Sequence, residues 1–179
     1  MAKKSEKSKK AANAGRSFQV RVVDSLKAYG ERHGGWTYRT TDKITGAGFG
    51  RSYKLKTPHD VVFVSDRLSL LIECKVSYDS DRFNFGAVDK GEEEALLQFT
   101  GTGGRALGVV FFCDWRPGKP GDLIIMTADK LHNPESKKRH FKWSDDLKEI
   151  DGIRVKRKGP IFLFTPKIMR RLRKMREVM

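Results

Sequence analysis

Asp60 and the run Glu73-Cys74-Lys75 combine residue types that can do chemistry. In a strand, successive side chains alternate between faces. Glu73 and Lys75 therefore point to one side, and Ile72, Cys74 and Val76 point to the other, into a core. A carboxylate and an ammonium are costly to place in an apolar segment unless they are paired or used. Asp60 opens the preceding apolar run, and a hairpin between the two runs brings its carboxylate beside Glu73. Two hard carboxylate oxygens suit Mg²⁺, with its other positions left to water and phosphate oxygens. Such an ion acidifies water and polarises a phosphate. Lys75 can set its charge near an attacking water or the charge that develops on phosphorus. Gln98, further along, can orient the water or the backbone. The same residues are also compatible with a structural salt bridge of Lys75 with Asp60 or Glu73 at a sheet surface. The bare pattern of an Asp and a Glu-x-Lys is common by chance.

The elements that must position these residues follow from periodicity. Phe18, Val22, Leu26 and Tyr29 have helical spacing, with Val23 beside them, and predict a helix from about Asn13. Gly34-Gly35 ends it. Residues 36–40 read as a short strand. Residues 41–57, TDKITGAGFGRSYKLKT, are rich in glycine and basic residues and read as a long loop. DVVFV (60–64) and LSLLIECKV (68–76) form a predicted hairpin around Ser65-Asp66-Arg67. Residues 78–91 read as a polar connection. A helix follows from about Gly91, its acidic residues at the N-terminal end where the helix dipole favours them, and the glycines of GTGGR end it. ALGVVFFCDW and DLIIMT read as strands, and GPIFLF as a last one. The terminal segment begins at Thr165-Pro166, with Pro166 suited to the first helical position. Ile168, Leu172, Met175 and Met179 line one face of it, and basic residues occupy the rest. The order of elements predicts an α/β (α+β) domain with a central mixed sheet flanked by helices.

Composition narrows the classes. The chain has 179 residues, 38% hydrophobic, enough for one folded domain with a core. The expected division is a flexible basic arm over 1–14 and a single domain over 15–179. The formal net charge is +15, which points to a polyanionic partner, nucleic acid first. Cys74 and Cys113 lie in apolar runs and read as buried core thiols, in keeping with a reducing, cytoplasmic setting. No stretch has the ~20 apolar residues of a membrane span, so no membrane partner is expected. GAGFG and GTGG lack the Gly-Lys-Ser/Thr of a phosphate loop, so no nucleotide cofactor is expected either. His33, His59, His132 and His140 lack metal-ligand spacing. His59, beside Asp60, leaves a histidine-based site as a minor alternative. Lys43, Arg51, Lys54 and Lys56 give the glycine-rich segment the charge to grip phosphates, and Phe49 and Tyr53 could stack on unpaired bases. An ordinary solvated loop would have the same composition.

The run PHDVVF…LLIECKVS…ALLQFTGTGGRALGVVFF resembles Holliday-junction resolvases of the RecU and archaeal Hjc types, members of the PD-(D/E)XK nuclease superfamily. The opening NAGRSFQVRVVDSL is similar to the Gly-basic-x-Phe-Glu start of the first helix in those enzymes. The resemblance spans roughly residues 13–115. It implies a restriction-endonuclease-like core and a homodimer that nicks opposed strands of a four-way DNA junction. It also implies Mg²⁺ as cofactor, with Mn²⁺ as a substitute. By that likeness Asp60, Glu73 and the backbone carbonyl of Cys74 hold the metal, Lys75 is the catalytic lysine, and Gln98 matches the glutamine of the following helix. Ser77 matches a family hydroxyl and Arg16 the basic residue of the first helix, and both are expected to bind DNA. Two positions depart from the pattern. His59 precedes Asp60 where the superfamily has proline, and Gln19 stands where the family carries a metal-supporting glutamate. Gln19 could offer a carbonyl oxygen or hold a water, without the charge. The alternatives are a nuclease of duplex or other branched DNA, and a junction-binding protein without cleavage.

Overall fold

The structure is a computed structural model. It describes residues 6–40, 43–47, 51–55, 59–77, 82–116, 119–131, 140–142, 147 and 151–177, with the backbone path alone at 6–11, 43–47, 51–55, 114–116, 119–120 and 140–142. The chain folds as α1 (Glu6–His33), β1 (Trp36–Arg39), β2 (Lys43–Ala47), β3 (Arg51–Leu55), β4 (Val61–Val64), β5 (Ser69–Ser77), β6 (Arg82–Asn84), α2 (Lys90–Gly101), β7 (Ala106–Arg116), β8 (Lys119–Thr127), β9 (His140–Lys142), β10 (Ile153–Val155), β11 (Arg157–Lys158), β12 (Ile161–Phe162) and α3 (Pro166–Glu177). Six strands form the main sheet in the order β1-β4-β5-β7-β8-β10. β5 and β7 pair in parallel, and the other neighbours pair antiparallel. This is the mixed α+β sheet that the order of elements predicts. Among the described residues no helix is long and apolar enough to cross a membrane.

The alternation of β5 sorts the molecule into two cores. Leu70, Ile72 and Cys74 face α1 and α3, packing with Phe18, Val22 and Leu172. Leu71 faces the opposite side, with Leu96 of α2 and the aromatic rings of Phe83, Phe85 and Phe112. Glu73 shares the parity of Leu71, so its carboxylate emerges on the α2 side. Both cysteines are buried, and neither forms a disulfide.

Several expectations are corrected. The first helix starts at Glu6 rather than near Asn13, because EKSKKAA is made of good helix formers with no apolar stripe to reveal them. Of the anticipated basic arm, residues 6–14 are therefore helical, and residues 1–5 lie outside the described residues. The anticipated long loop holds a hairpin, with β2 and β3 paired from Lys43↔Leu55 to Ala47↔Arg51. Its polar, glycine-rich composition hides it. Within the segment read as a polar connection, Phe83, Phe85 and Val88 are buried. The predicted last strand shrinks to β12, which pairs with β11 outside the main sheet, while β10 supplies the sixth strand. On α3 the buried residues are Met169, Leu172 and Met175, with Ile168 partly buried. Met179 lies outside the described residues.

α2 docks closely on β7 at Gly108. A Cβ there would stand 2.2 Å from the carbonyl oxygen of Leu96. The Gly108 N–H donates to Thr100 Oγ1 at 2.8 Å, tying helix to strand. Gly108→Ala should therefore lower stability by roughly 2–3 kcal/mol, more than an ordinary overpacking change at a yielding site. Urea unfolding of the two proteins measures it, and an unchanged midpoint would mean that α2 shifts freely.

Candidate active site

The site lies where β4 gives way to its preceding residue. The Asp60 N–H donates to the Ile72 carbonyl at 2.9 Å, so Asp60 sits opposite Glu73 just beyond the paired ends. Its carboxylate turns back on the strand, and Oδ2 accepts the Cys74 N–H at 2.8 Å. A strand residue's N–H and C=O face the same neighbour. The Cys74 carbonyl therefore faces the same side as Asp60.

Lys75 is the hub of the other half. Its Nζ lies 2.8 Å from Glu73 Oε1 and 2.7 Å from Glu92 Oε2. Glu92 is held in turn by the start of α2. The Asp89 N–H donates to Glu92 Oε2 at 2.9 Å, and Asp89 Oδ1 accepts the Glu92 N–H at 2.9 Å. This reciprocal capping box satisfies two free N–H groups of the helix. The carboxylate that closes the cap is the one that fixes the lysine.

Gln19 reaches the site from α1. Its Nε2 donates to Asp60 Oδ1 at 2.6 Å, and Arg39 Nη2 donates to its Oε1 at 2.9 Å. A guanidinium can only donate, so the Gln19 carbonyl is turned to Arg39 and its NH₂ to Asp60. The carbonyl that could have been a ligand is thus already engaged.

Burial sets the electrostatics. Glu73 is 5% exposed. Burial, reinforced by the charges of Asp60 and Glu92, pushes its pKa to about 8 even though Lys75 pulls the other way. Asp60 is raised by burial against the hydrogen bond from Cys74 and the charge of Lys75. Burial alone would lower Lys75, but the charge and hydrogen bonds of Glu73 and Glu92 outweigh it and raise the ammonium. Burial lowers the His59 imidazole, whose Nδ1 has no hydrogen-bond partner among the described residues.

Asp60, Glu73, Lys75 and Gln19 thus come together, with the Cys74 backbone between them. Gln98 does not join them. It is exposed on α2, six residues past Glu92, and at ~100° per residue its side chain points about 120° away from Glu92. Ser77 ends β5 on the face of Lys75, and its hydroxyl donates to the Arg82 carbonyl at 2.6 Å. Arg16 is exposed on α1, one turn before Gln19. Lys43, Arg51 and Lys54 fall on the β2–β3 hairpin, where the backbone path alone is described, and Lys56 lies outside the described residues. Glu92 and Arg39 went unnoticed in the sequence. For Glu92 the signal was there in Asp89-x-x-Glu92, a capping box at a helix start. A further feature lies on the same sheet face as Glu73. Trp36 and Tyr38 of β1 are 59% and 51% exposed, and their rings stack 5.6 Å apart at 7°.

The donor set fits one kind of metal and not another. No three His, Cys, Asp or Glu side chains among the described residues converge on one point, so an all-protein cage does not fit. Mg²⁺ is commonly held by one or two carboxylates with water and phosphate oxygens. The mutual repulsion of Asp60 and Glu73 and the Cys74 carbonyl on the Asp60 side suit that mode.

No family model matches the sequence, and no curated protein does. Among solved structures, the chain is similar to Hjc, a Holliday junction resolvase of the archaeal hyperthermophile Archaeoglobus fulgidus. The identity is 21%, the match covers 75% of this chain and 94% of that one, and the TM-score is 0.43. A likeness of that degree transfers neither substrate nor reaction.

The raised Glu73 carboxyl predicts a pH effect on stability. The folded state keeps a proton on Glu73 that the unfolded chain releases from about pH 4.5. Between about pH 4.5 and 8 the folded state binds more protons, so stability falls as pH rises. Urea unfolding in EDTA should show a loss on the order of 2 kcal/mol from pH 5 to 8.5, below the ceiling of about 5 for an uncoupled shift. Glu73→Gln should remove that component. An equal slope in the variant would mean that Glu73 is ionised at neutral pH.

Proposed function

We propose that this chain is a Mg²⁺-dependent DNA endonuclease of the PD-(D/E)XK type, working as a homodimer on four-way junctions. The observation that carries the nuclease reading is the partly buried lysine clamped between two buried carboxylates with Asp60 opposite them. The net charge of +15 supplies the affinity for a polyanion. The branched substrate and the dimer rest on the sequence resemblance. A two-fold axis would set two sites against a junction of matching symmetry.

Asp60, Glu73 and the Cys74 carbonyl would hold the ion. When bound, Mg²⁺ would supply Lewis-acid polarisation of the phosphate and a more acidic water. Lys75 keeps its proton, since both neighbouring acids raise it, so it acts as a charge and hydrogen-bond donor. Such a donor stabilises charge that develops on phosphate oxygens. Glu92 holds Lys75 in place and is a positioning residue. The stacked Trp36–Tyr38 pair offers a flat surface beside the site on which unpaired bases can stack.

The orientation of Gln19 favours a second reading, a junction-binding protein that does not cut. Its NH₂ occupies Asp60 Oδ1, which a metal would otherwise contact. A labelled immobile four-way junction and a matched duplex, each with Mg²⁺ and with EDTA, separate the readings. Paired nicks in the junction alone, and only with Mg²⁺, are expected. Cleavage of both substrates would favour a general nuclease, and tight binding without any cut the non-catalytic reading.

Asp60→Asn and Glu73→Gln should lower the cleavage rate by roughly 10²–10³ or more while binding in EDTA persists. If either variant cut at the normal rate, the assigned site would be wrong. Glu92→Gln should lower kcat roughly ten- to a hundredfold with KM for DNA little changed. A change confined to KM would place Glu92 in substrate binding instead. Gln19→Glu should lower the Mg²⁺ concentration needed for half-maximal cleavage. No change there would remove position 19 from the metal site.

A further inference from the structure

A second concentration of charge lies at the far end of the sheet. Leu68, at the β4–β5 turn, is five residues along the strand from Glu73, about 17 Å. Tyr29 is ten residues along α1 from Gln19, about 15 Å. Two cavities open there. One, of about 370 Å³, is bounded by the end of α1, the β4–β5 turn and the start of α3. The other, of about 300 Å³, is bounded by that turn, the α2–β7 connection and the end of α3. They share Arg67, Leu68 and Arg173.

The walls are arginine-rich. Arg67, Arg170 and Arg173 line the first cavity with His33, and Arg105 and Arg176 join at the second. Asp66 and Glu177 are the acidic residues that line them. The five arginines come from three segments far apart in sequence, so the fold rather than a local run of charge assembles them. No lysine lines either cavity. A guanidinium offers a planar fork that matches phosphate oxygens in pairs, where an ammonium offers a point charge. Arg173 Nε is buried with Glu177 Oε1 at 3.8 Å, beyond hydrogen-bond range. Several guanidinium groups lining two adjoining cavities, with the Arg173 Nε donor among them desolvated, favour an anion that can bridge them.

We propose that this arginine-lined end is a second nucleic-acid surface, which binds the phosphate backbone of a DNA segment other than the one at the Asp60–Glu73 cluster. A polyanion with several phosphates in register suits two adjoining cavities better than a single small anion. The inference rests on the proposed nuclease reading only for naming DNA as the polyanion. Its contacts are to phosphate, so they carry affinity without sequence preference.

The test is Arg67→Gln/Arg105→Gln/Arg170→Gln, three exposed positions that leave the partly buried Arg173 in place. Fluorescence anisotropy with a labelled duplex and a four-way junction, in EDTA across a salt series, gives affinity and salt slope. Each lost phosphate contact should flatten the slope by ~0.9. The triple variant should lose about 2–3 from the slope and bind at least roughly tenfold more weakly at 0.1 M salt. The triple Arg→Lys variant should keep most of the slope and lose part of the affinity. A slope within error of the parent, with the thermal midpoint unchanged, would overturn the proposal. So would lost binding to poly-glutamate with DNA binding intact, which would mark a surface for acidic protein. Cleavage plays no part in this readout. A protein that binds through these arginines and never cuts would sink the nuclease reading alone. A protein that cuts with an unaltered slope in the triple variant would sink this inference alone.

Discussion

The partial burial of one ammonium among carboxylates is the constraint around which the site is built. Lys75 sits on a central strand whose neighbours are apolar, and an unpaired charge in that partly desolvated place would be costly. Glu73 is two residues away on the same strand face and Glu92 comes from the helix across it, so the charge is met from two elements. Glu92 can do this because it is already fixed. Its carboxylate closes the Asp89 capping box, which starts α2 at a defined residue. Loosening the cap would loosen the lysine. Docking at Gly108 fixes the height of the same helix, because the Leu96 carbonyl rests against a residue with no side chain. Helix cap, strand glycine and lysine clamp are therefore one mechanical unit.

The opposite side of the site has a different logic. Asp60 is placed by backbone hydrogen bonds just before β4 begins, and its carboxylate accepts from Cys74 N and from Gln19. Arg39 does not touch Asp60 in this arrangement. It acts through Gln19, whose amide it orients. A guanidinium on β1 thus decides which atom of an α1 side chain faces the acid.

The chemistry-bearing residues were legible where they lay on regular strands. Alternation alone places Glu73 and Lys75 on one face and Cys74 in the core, and the structure has them so. The β4–β5 hairpin and the strand from Ala106 were legible from continuous runs of β-branched and aromatic residues. Polar, short or irregular segments were not. The β2–β3 hairpin lacks an apolar alternation, and β10 is only three residues long. Phe83 and Phe85 are buried from a stretch that is otherwise hydrophilic. Gln98 shows a different failure. Its residue type and its place in the helix both fitted a site role, but rotation about the helix decides which residue meets the lysine, and that residue is Glu92. The capping box marks Glu92 as a carboxylate held at the start of the helix, with Asp89 as its cap.

Charge balance connects Gln19 to the question of the metal. Asp60, Glu73 and Glu92 bring three carboxylates, and Lys75 and Arg39 bring two cations. One negative charge is in excess, and in the absence of an ion a proton on Glu73 neutralises it, in keeping with its raised carboxyl. A divalent cation would have to displace that proton, so proton and metal compete for the same carboxylate. A glutamate at position 19 would leave two charges in excess, more than one proton on Glu73 can absorb, and would bias the site towards the ion. Glutamine instead lets the metal-free site approach neutrality by protonation. Under the nuclease reading such a site would bind Mg²⁺ more weakly at low pH and would rely more on the phosphate oxygens of a bound substrate. Under the nuclease reading, metal and DNA then bind cooperatively, and the ion is retained chiefly when a phosphate is present to share it.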